Sequence, residues 1–377
     1  MQLKSVWAIE MIGFDRQRTG LWSVLLAALL FGISTPLSKG LLGEIPPQIL
    51  AGLLYLGSGV GLTVLTWLLR RGAISREAPL THIDVPWLSG AIIFGGILAP
   101  VLLLTGLQHT PASNASLLLN LESVFTVIFA WIVFHENVDR KFALGMGAVL
   151  FGSVFVSWQG VVLGGGLVGP LAIAMACLCW GVDNNLTQKV SAGDPVQISA
   201  IKGLVAGSVN LLLGMWLLHS LPALAWVPAA LVVGFFSYGL SIALFVLALR
   251  DLGTARTGAY FSTAPFIGAI FSVIILREVV TSSLVAAAIA MTIGVWLLLN
   301  EKHSHNHIHN PLAHSHPHIH DEHHQHRHGR HDPPGEPHVH LHEHVLLIHS
   351  HPHRPDIHHR HSHDQETDNQ ESAASPS

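Results

Sequence analysis

Charged side chains are scarce: Asp, Glu, Lys and Arg make up 11% of the 377 residues, where a soluble domain carries about 25%. An ordinary water-facing surface is therefore excluded for most of the chain. Cysteine is thinner still, with two residues, Cys177 and Cys179, in AMACLCWG. Helical positions two apart diverge by about 200°, so this pair makes neither a disulfide nor a chelate and reads as apolar packing. No G-x-x-x-x-G-K-[ST] run occurs, which removes direct nucleotide drive. No nucleophile–base or metal-plus-water constellation is visible in the apolar part, so an enzyme is not expected. Nor is a nucleic-acid partner: the net charge of −4 says little where a bilayer sets the environment.

What is present divides sharply. Leu21 to Leu299 is one apolar stretch after another, whereas Glu301 to Ser377 has almost no apolar material and holds most of the histidine. A bilayer core about 30 Å thick takes roughly 20 apolar residues as helix. Apolar windows predict spans near 21–40, 48–69, 86–107, 112–134, 141–158, 167–187, 196–218, 226–249, 255–276 and 281–299. The expected organisation is a cytoplasmic segment 1–20, a five-helix unit 21–160, a second unit 165–300 and a cytoplasmic tail 301–377. With the N-terminus inside, Arg70, Arg71, Arg76, Arg140, Lys141, Lys189, Arg250, Arg256 and Lys302 all fall on cytoplasmic loops, and the outside has Arg277, plus Lys39 at a helix end where it can snorkel to the surface. The expected location is thus the inner membrane, with both termini cytoplasmic and lipid as a partner. The first twenty residues lack a continuous apolar core, so a cleaved leader is not expected.

The halves echo each other. LQHTPASNASLLLNLESVFTVIFAWIVFHE (107–136) aligns without a gap on LRDLGTARTGAYFSTAPFIGAIFSVIILRE (249–278), and the terminal Glu136 and Glu278 fall in step. FGISTPLSK (31–39) resembles WGVDNNLTQK (180–189). Five helices is an odd number, so a second copy enters the membrane upside down, which is the architecture of secondary transporters with a midplane site. Generic likeness among apolar helices is the competing explanation.

At these residues the chain resembles the drug/metabolite transporter superfamily, and within it the EamA-type ten-helix transporters. The likeness spans about residues 20–300 and rests on FGISTPLSK, ASNASLLLNLESVFTVIFAWIVFHE and STAPFIGAIFSVIILRE. It implies an all-α membrane bundle of two inverted five-helix repeats that moves a small metabolite or drug-like compound, usually outward, with no cofactor required. One departure is that Ser123 follows Glu122 where the family often has proline, while Pro265 holds the matching place in the second half. A kink is expected in the ninth helix, and the fourth lacks that source of bending.

Ionisable groups inside spans are costly, by roughly 2.5–3.5 kcal/mol on insertion scales, and each needs a reason. Glu122 reads as a proton-carrying or ammonium-binding carboxylate, or as a buried, hydrogen-bonded glutamate. Trp180, Asp183, Asn184, Thr187 and Gln188 share one broad face of the sixth helix, which suits a vestibule. Lys202 is placed to pair with Asp183 as a structural salt bridge or to attract an anion. Asn120 joins Ser116 and Ser123 in a stripe about 200° from Glu122, which serves a pathway or close helix packing. Ser34, in the first-helix motif, completes the candidate substrate or coupling set. Pro36, Pro100 and Pro265 interrupt spans, and Trp22, Trp67, Trp87, Trp131, Trp158, Trp216, Trp226 and Trp296 read as interfacial anchors.

Neutral imidazole binds Zn²⁺, Ni²⁺, Co²⁺ or Cu²⁺, and in extended chain residues two apart share a side. The tail repeats that spacing at His303, His305, His307, His309, His314, His316, His318, His320, His338, His340, His342 and His344. Its prolines and charges predict largely disordered chain. Three readings remain open: a passive metal store beside an organic-compound exporter, a loading or sensing element for a divalent-metal transporter, and a membrane-anchored metal buffer without transport. The spans lack a His, Asp and Glu cluster for a metal cargo, which favours an accessory tail. Oligomeric state is not readable.

Overall fold

The computed structural model describes residues 3–69, 80, 82–134, 140–162, 166–190, 194–219, 224–252, 254–299, 303–309, 312–318, 338–344 and 347–353. The described part of the apolar region is all helix and turn, as ten rods. These are α1 (Leu3–Leu41), α2 (Pro47–Leu69), α3 (Val85–Gln108), α4 (Ala112–Leu118, then Leu121–Phe134) and α5 (Arg140–Val162). They continue as α6 (Val168–Val190), α7 (Pro195–Leu218), α8 (Val227–Val233, Gly234–Leu240 and Ser241–Leu252, unbroken), α9 (Thr254–Phe261, then Ala264–Leu276) and α10 (Ser282–Leu299). Among the described residues, five stretches are long and apolar enough to cross a bilayer: Arg18–Leu41, Pro47–Leu68, Val85–Gln108, Pro195–Leu218 and Val227–Leu249.

The outside of the bundle shows why it belongs in lipid. Phe151, Val154, Leu212, Ile274 and Ile289 are all exposed, and a continuous apolar coat of this kind does not persist in water. Trp22, Trp67, Trp87, Trp216, Trp226 and Trp296 are exposed as well. Trp131 and Trp158, taken as anchors from sequence, have side chains outside the described set.

Two pairs of features repeat between the halves at one spacing. Ile92–Leu98 in α3 and Gly234–Leu240 in α8 both wind as wide π-turns, and their starts are the same distance apart as the aligned segments beginning at Leu107 and Leu249. Packing follows suit. The helix pairs α1–α8 and α1–α9 are matched by α6–α3 and α6–α4, while α2 packs on α7 and α5 on α10. Each partner set becomes the other when five is added to the helix number.

The α2–α7 contact is made by glycine. A Cβ on Gly59 would strike the Leu204 backbone and one on Gly203 the Gly59 backbone, while Gly207 meets the backbone of Leu56. Small residues permit this backbone-to-backbone approach, which replaces hydrophobic drive inside a membrane.

Both α4 and α9 are interrupted mid-rod. In α9 the turn at 262–263 precedes Pro265, whose ring nitrogen cannot donate to the preceding turn. In α4 there is no proline, yet Leu119 and Asn120 form a turn, with Leu119 N–H on the Ser116 carbonyl and Asn120 N–H on Leu117, both 3.1 Å. The Asn120 amide adds a side-chain bond to the Leu117 carbonyl at 3.0 Å. A polar side chain competing for the backbone thus does here what proline does in α9. Pro36, by contrast, lies inside continuous helix.

Four seven-residue pieces of the tail are described: His303–His309 pairs antiparallel with Leu347–His353, and Leu312–His318 with His338–His344; the rest of the segment expected to be flexible lies outside the described residues. The register sets His305 opposite His351, His307 opposite His349, His314 opposite His342 and His316 opposite His340. A period of two, which made H-x-H a ligand spacing, is also the period of a strand. His320 lies outside the described residues.

Candidate functional site

The wide turn of α3 starts the site. Pro100 has no N–H for the Gly96 carbonyl four residues earlier. The Asn210 amide of α7 supplies one instead, at 3.1 Å. One residue back, the Gly95 carbonyl accepts both the Tyr55 hydroxyl at 2.7 Å and the Trp180 indole N–H at 3.1 Å. Two large aromatic side chains from α2 and α6 are therefore fixed by their polar tips, and their rings are left to line a cavity. Turns of this kind cluster at functional sites.

Asp183 fills the place where a Gly95 side chain would be. Its two oxygens accept from Lys202 Nζ at 2.6 and 2.8 Å, and the Thr187 hydroxyl donates to Oδ1 at 2.8 Å. Lys202 reaches Thr187 Oγ at 3.2 Å. Lys202 is 3% exposed and Asp183 7%, so the pair stands or falls together: removing one partner leaves a bare charge in low dielectric. About a turn away, Glu122 of α4 accepts from the Asn184 amide at 2.8 Å, and Asn184 also reaches Thr126 Oγ at 3.2 Å.

Aromatic rings complete the enclosure. Phe31 of α1 sits at the centre, its ring 5.9 Å from Trp180, 5.9 Å from Tyr238 and 5.4 Å from Phe261. Phe245 and Phe261 lie 4.7 Å apart. Together with Tyr55, Glu122, Asp183, Asn184 and Lys202 these residues border a cavity of about 540 Å³ of empty space, mouth included. An apolar wall with a few polar groups is the make-up of a small-molecule site. Thr187, Ser241, Ile242, Phe245, Val246 and Phe261 border it too, which places it toward the ends of α6 and α8 and the start of α9.

The opposite end is tied shut. The Glu278 carboxylate, just past α9, accepts the backbone N–H groups of Ala112 at 2.6 Å and Ser113 at 2.8 Å. Lys39, at the end of α1, donates to the carbonyls of Leu107 and Thr110, the latter at 3.0 Å. The α3–α4 turn is thus clamped by an anion on its free N–H groups and a cation on its free carbonyls. Arg277, left-handed at φ 54°, ends α9 and swings Glu278 into place.

Of the residues singled out from sequence, Glu122, Trp180, Asp183, Asn184 and Lys202 meet at this cavity. Asn120 and Ser34 do not border it. Asn120 is buried at the α4 break with its amide on Leu117 and near Met291 Sδ at 3.8 Å, and the Ser34 hydroxyl donates back to the Phe31 carbonyl at 2.5 Å. Sequence reasoning passed over Phe31, Tyr55, Tyr238, Phe245 and Phe261. One signal was available: the chain has three tyrosines, and two of them, Tyr55 and Tyr238, sit mid-span where a hydroxyl needs a partner.

A multi-helix bundle with a lipid-facing coat and a polar, aromatic cavity drawn from both halves is the build of a membrane transporter. The chain belongs to the EamA-like transporter family, whose model matches it twice, over residues 18–158 and 167–300. It is 31% identical over 301 residues to an uncharacterized transporter of Methanothermobacter thermautotrophicus, covering 76% of this chain and 87% of that one. It is 21% identical over 282 residues to the uncharacterized transporter YoaV of Bacillus subtilis, covering 73% and 94%. A solved crystal structure of another protein superposes with a TM-score of 0.54 at 17% identity, over 75% of this chain and 95% of that one; at such identity the likeness concerns the fold.

Proposed function

We propose that the chain is a secondary transporter of the inner membrane that exports a small metabolite or drug-like compound by alternating access. Two oppositely inserted five-helix halves would rock about the shared cavity. The observation that carries this reading is a cavity walled by both halves and latched at one end by Lys39 and Glu278. The Lys and Arg bias puts the latched end outside and the termini inside, so this is a cytoplasm-facing state. Glu122 is the candidate for proton coupling, because Asp183 is already held by Lys202.

A single cysteine at Ile242, with Cys177 and Cys179 replaced by Ala, tests it. A membrane-impermeant maleimide is expected to label the wall from the cytoplasmic face of oriented vesicles. In Glu278→Gln, labelling from the outer face should rise several-fold as the latch weakens. Labelling from neither face, or no change on opening the latch, would remove alternating access.

For the tail, we propose divalent-metal binding, supported by the register that sets histidine opposite histidine in both ladders. Zinc titration of the full chain should bind fewer ions when His314, His316, His340 and His342 become Ala together, since one of the two ladders is emptied. Unchanged stoichiometry would sink this reading.

A further inference from the structure

The ionic groups of the cavity do not cancel, and the imbalance selects a ligand. Lys202 has three protons to donate, and they meet Asp183 Oδ1, Asp183 Oδ2 and Thr187 Oγ. Nothing remains on it for a ligand's carboxylate or phosphate, and among the described residues no other cation borders the cavity. Glu122 is different. It accepts the single Asn184 bond at 2.8 Å, and among the described residues no cation pairs with it. A carboxylate has about four acceptor sites, so Glu122 keeps capacity directed at whatever enters.

The rest of the wall favours positive charge as well. Phe31, Tyr55, Trp180, Tyr238, Phe245 and Phe261 surround the same space. Tyr55 and Trp180 spend their polar hydrogens on the Gly95 carbonyl, so their π-systems are what they offer. Aromatic faces attract cations electrostatically, most strongly where water is excluded. A divalent metal is poorly served: among the described residues no group of three or more His, Cys, Asp or Glu could hold one. One unpaired carboxylate within an aromatic wall matches a single positive charge attached to an apolar body.

We propose that the cavity takes a monovalent organic cation, a protonated amine or quaternary ammonium on a compact apolar or aromatic body, its charge against Glu122 and its body among Phe31, Phe245 and Phe261. Zwitterions and anions are disfavoured, since their carboxylate would face Glu122 with no free cation among the described residues to receive it. That the bound cation is then carried across rests on the transporter reading above; binding does not.

Three probes of nearly one shape separate the charge types: phenethylamine, phenylalanine and 3-phenylpropionate. On the purified full chain in nanodiscs, phenethylamine should bind at least about tenfold more tightly than either of the others. Glu122→Gln should erase that preference and Glu122→Asp keep part of it. The unaltered chain gives a second readout: phenethylamine should slow carbodiimide modification of Glu122, followed by mass spectrometry, and phenylalanine should not. Equal or tighter binding of phenylalanine or phenylpropionate, or no protection of Glu122, overturns the proposal. Binding of phenethylamine without passage across a proteoliposome membrane upholds it and overturns the transport reading. Passage of phenylalanine with no phenethylamine binding does the reverse.

Discussion

Replacing Asp183 by Asn will destabilise the bundle by about 3–5 kcal/mol, and so will replacing Lys202 by Met. Each change leaves the other member of the pair charged, nearly inaccessible to water and without its partner. The two together should cost far less than their sum, because neutral groups of similar size fill the same space without a desolvation penalty. Thr187, which donates to Asp183 Oδ1 at 2.8 Å, can donate equally to an Asn carbonyl oxygen. Unfolding midpoints in detergent for the two single variants and the double variant form a cycle whose coupling energy isolates the pair. Strict additivity would mean that the two charges do not depend on each other, and the geometry described for the cavity floor would then be wrong.

Gly95→Ala should be the most damaging conservative change in α3, costing about 1–3 kcal/mol. A methyl there would fall on the Asp183 side chain, 2.7 Å from its Cβ and closer still to the carboxylate. Asp183 cannot turn aside cheaply, because Lys202 grips both its oxygens. The wide turn that presents the Gly95 carbonyl to Tyr55 and Trp180 would have to shift as well. Gly147→Ala is the matched control: a methyl at that α5 position meets nothing within 4 Å, so the helix propensity gain of up to about 1 kcal/mol should appear unopposed. Thermal unfolding of the two variants side by side checks the contrast; equal midpoints would deny the Gly95–Asp183 contact.

Much of this was readable before any coordinates. The ten apolar stretches correspond to the ten rods, since length and hydropathy are one-dimensional quantities. Asp183 and Lys202 also announced themselves, because a charge inside a span demands a partner. The aromatic wall did not, for a physical reason. In a soluble helix the buried face is the apolar face, but here both the lipid-facing and inward-facing sides are apolar, so Phe31 and Phe245 look like Phe151 and Phe236. The α4 break was missed because the expected cause, proline, is absent and Asn120 acts in its place. Ser34 and Asn120 sit off the cavity wall because each donates to its own backbone, Ser34 to the Phe31 carbonyl and the Asn120 amide to the Leu117 carbonyl, although Asn120 Oδ1 stays buried without a partner among the described residues.

The wide turns at Ile92–Leu98 and Gly234–Leu240 carry a mechanical consequence. Each holds a residue of slack in an otherwise taut rod. Were the slack taken up, everything beyond it would advance by about 1.5 Å and swivel by about 100° without any segment unravelling. Both halves hold that reserve at the same place in their aligned sequences.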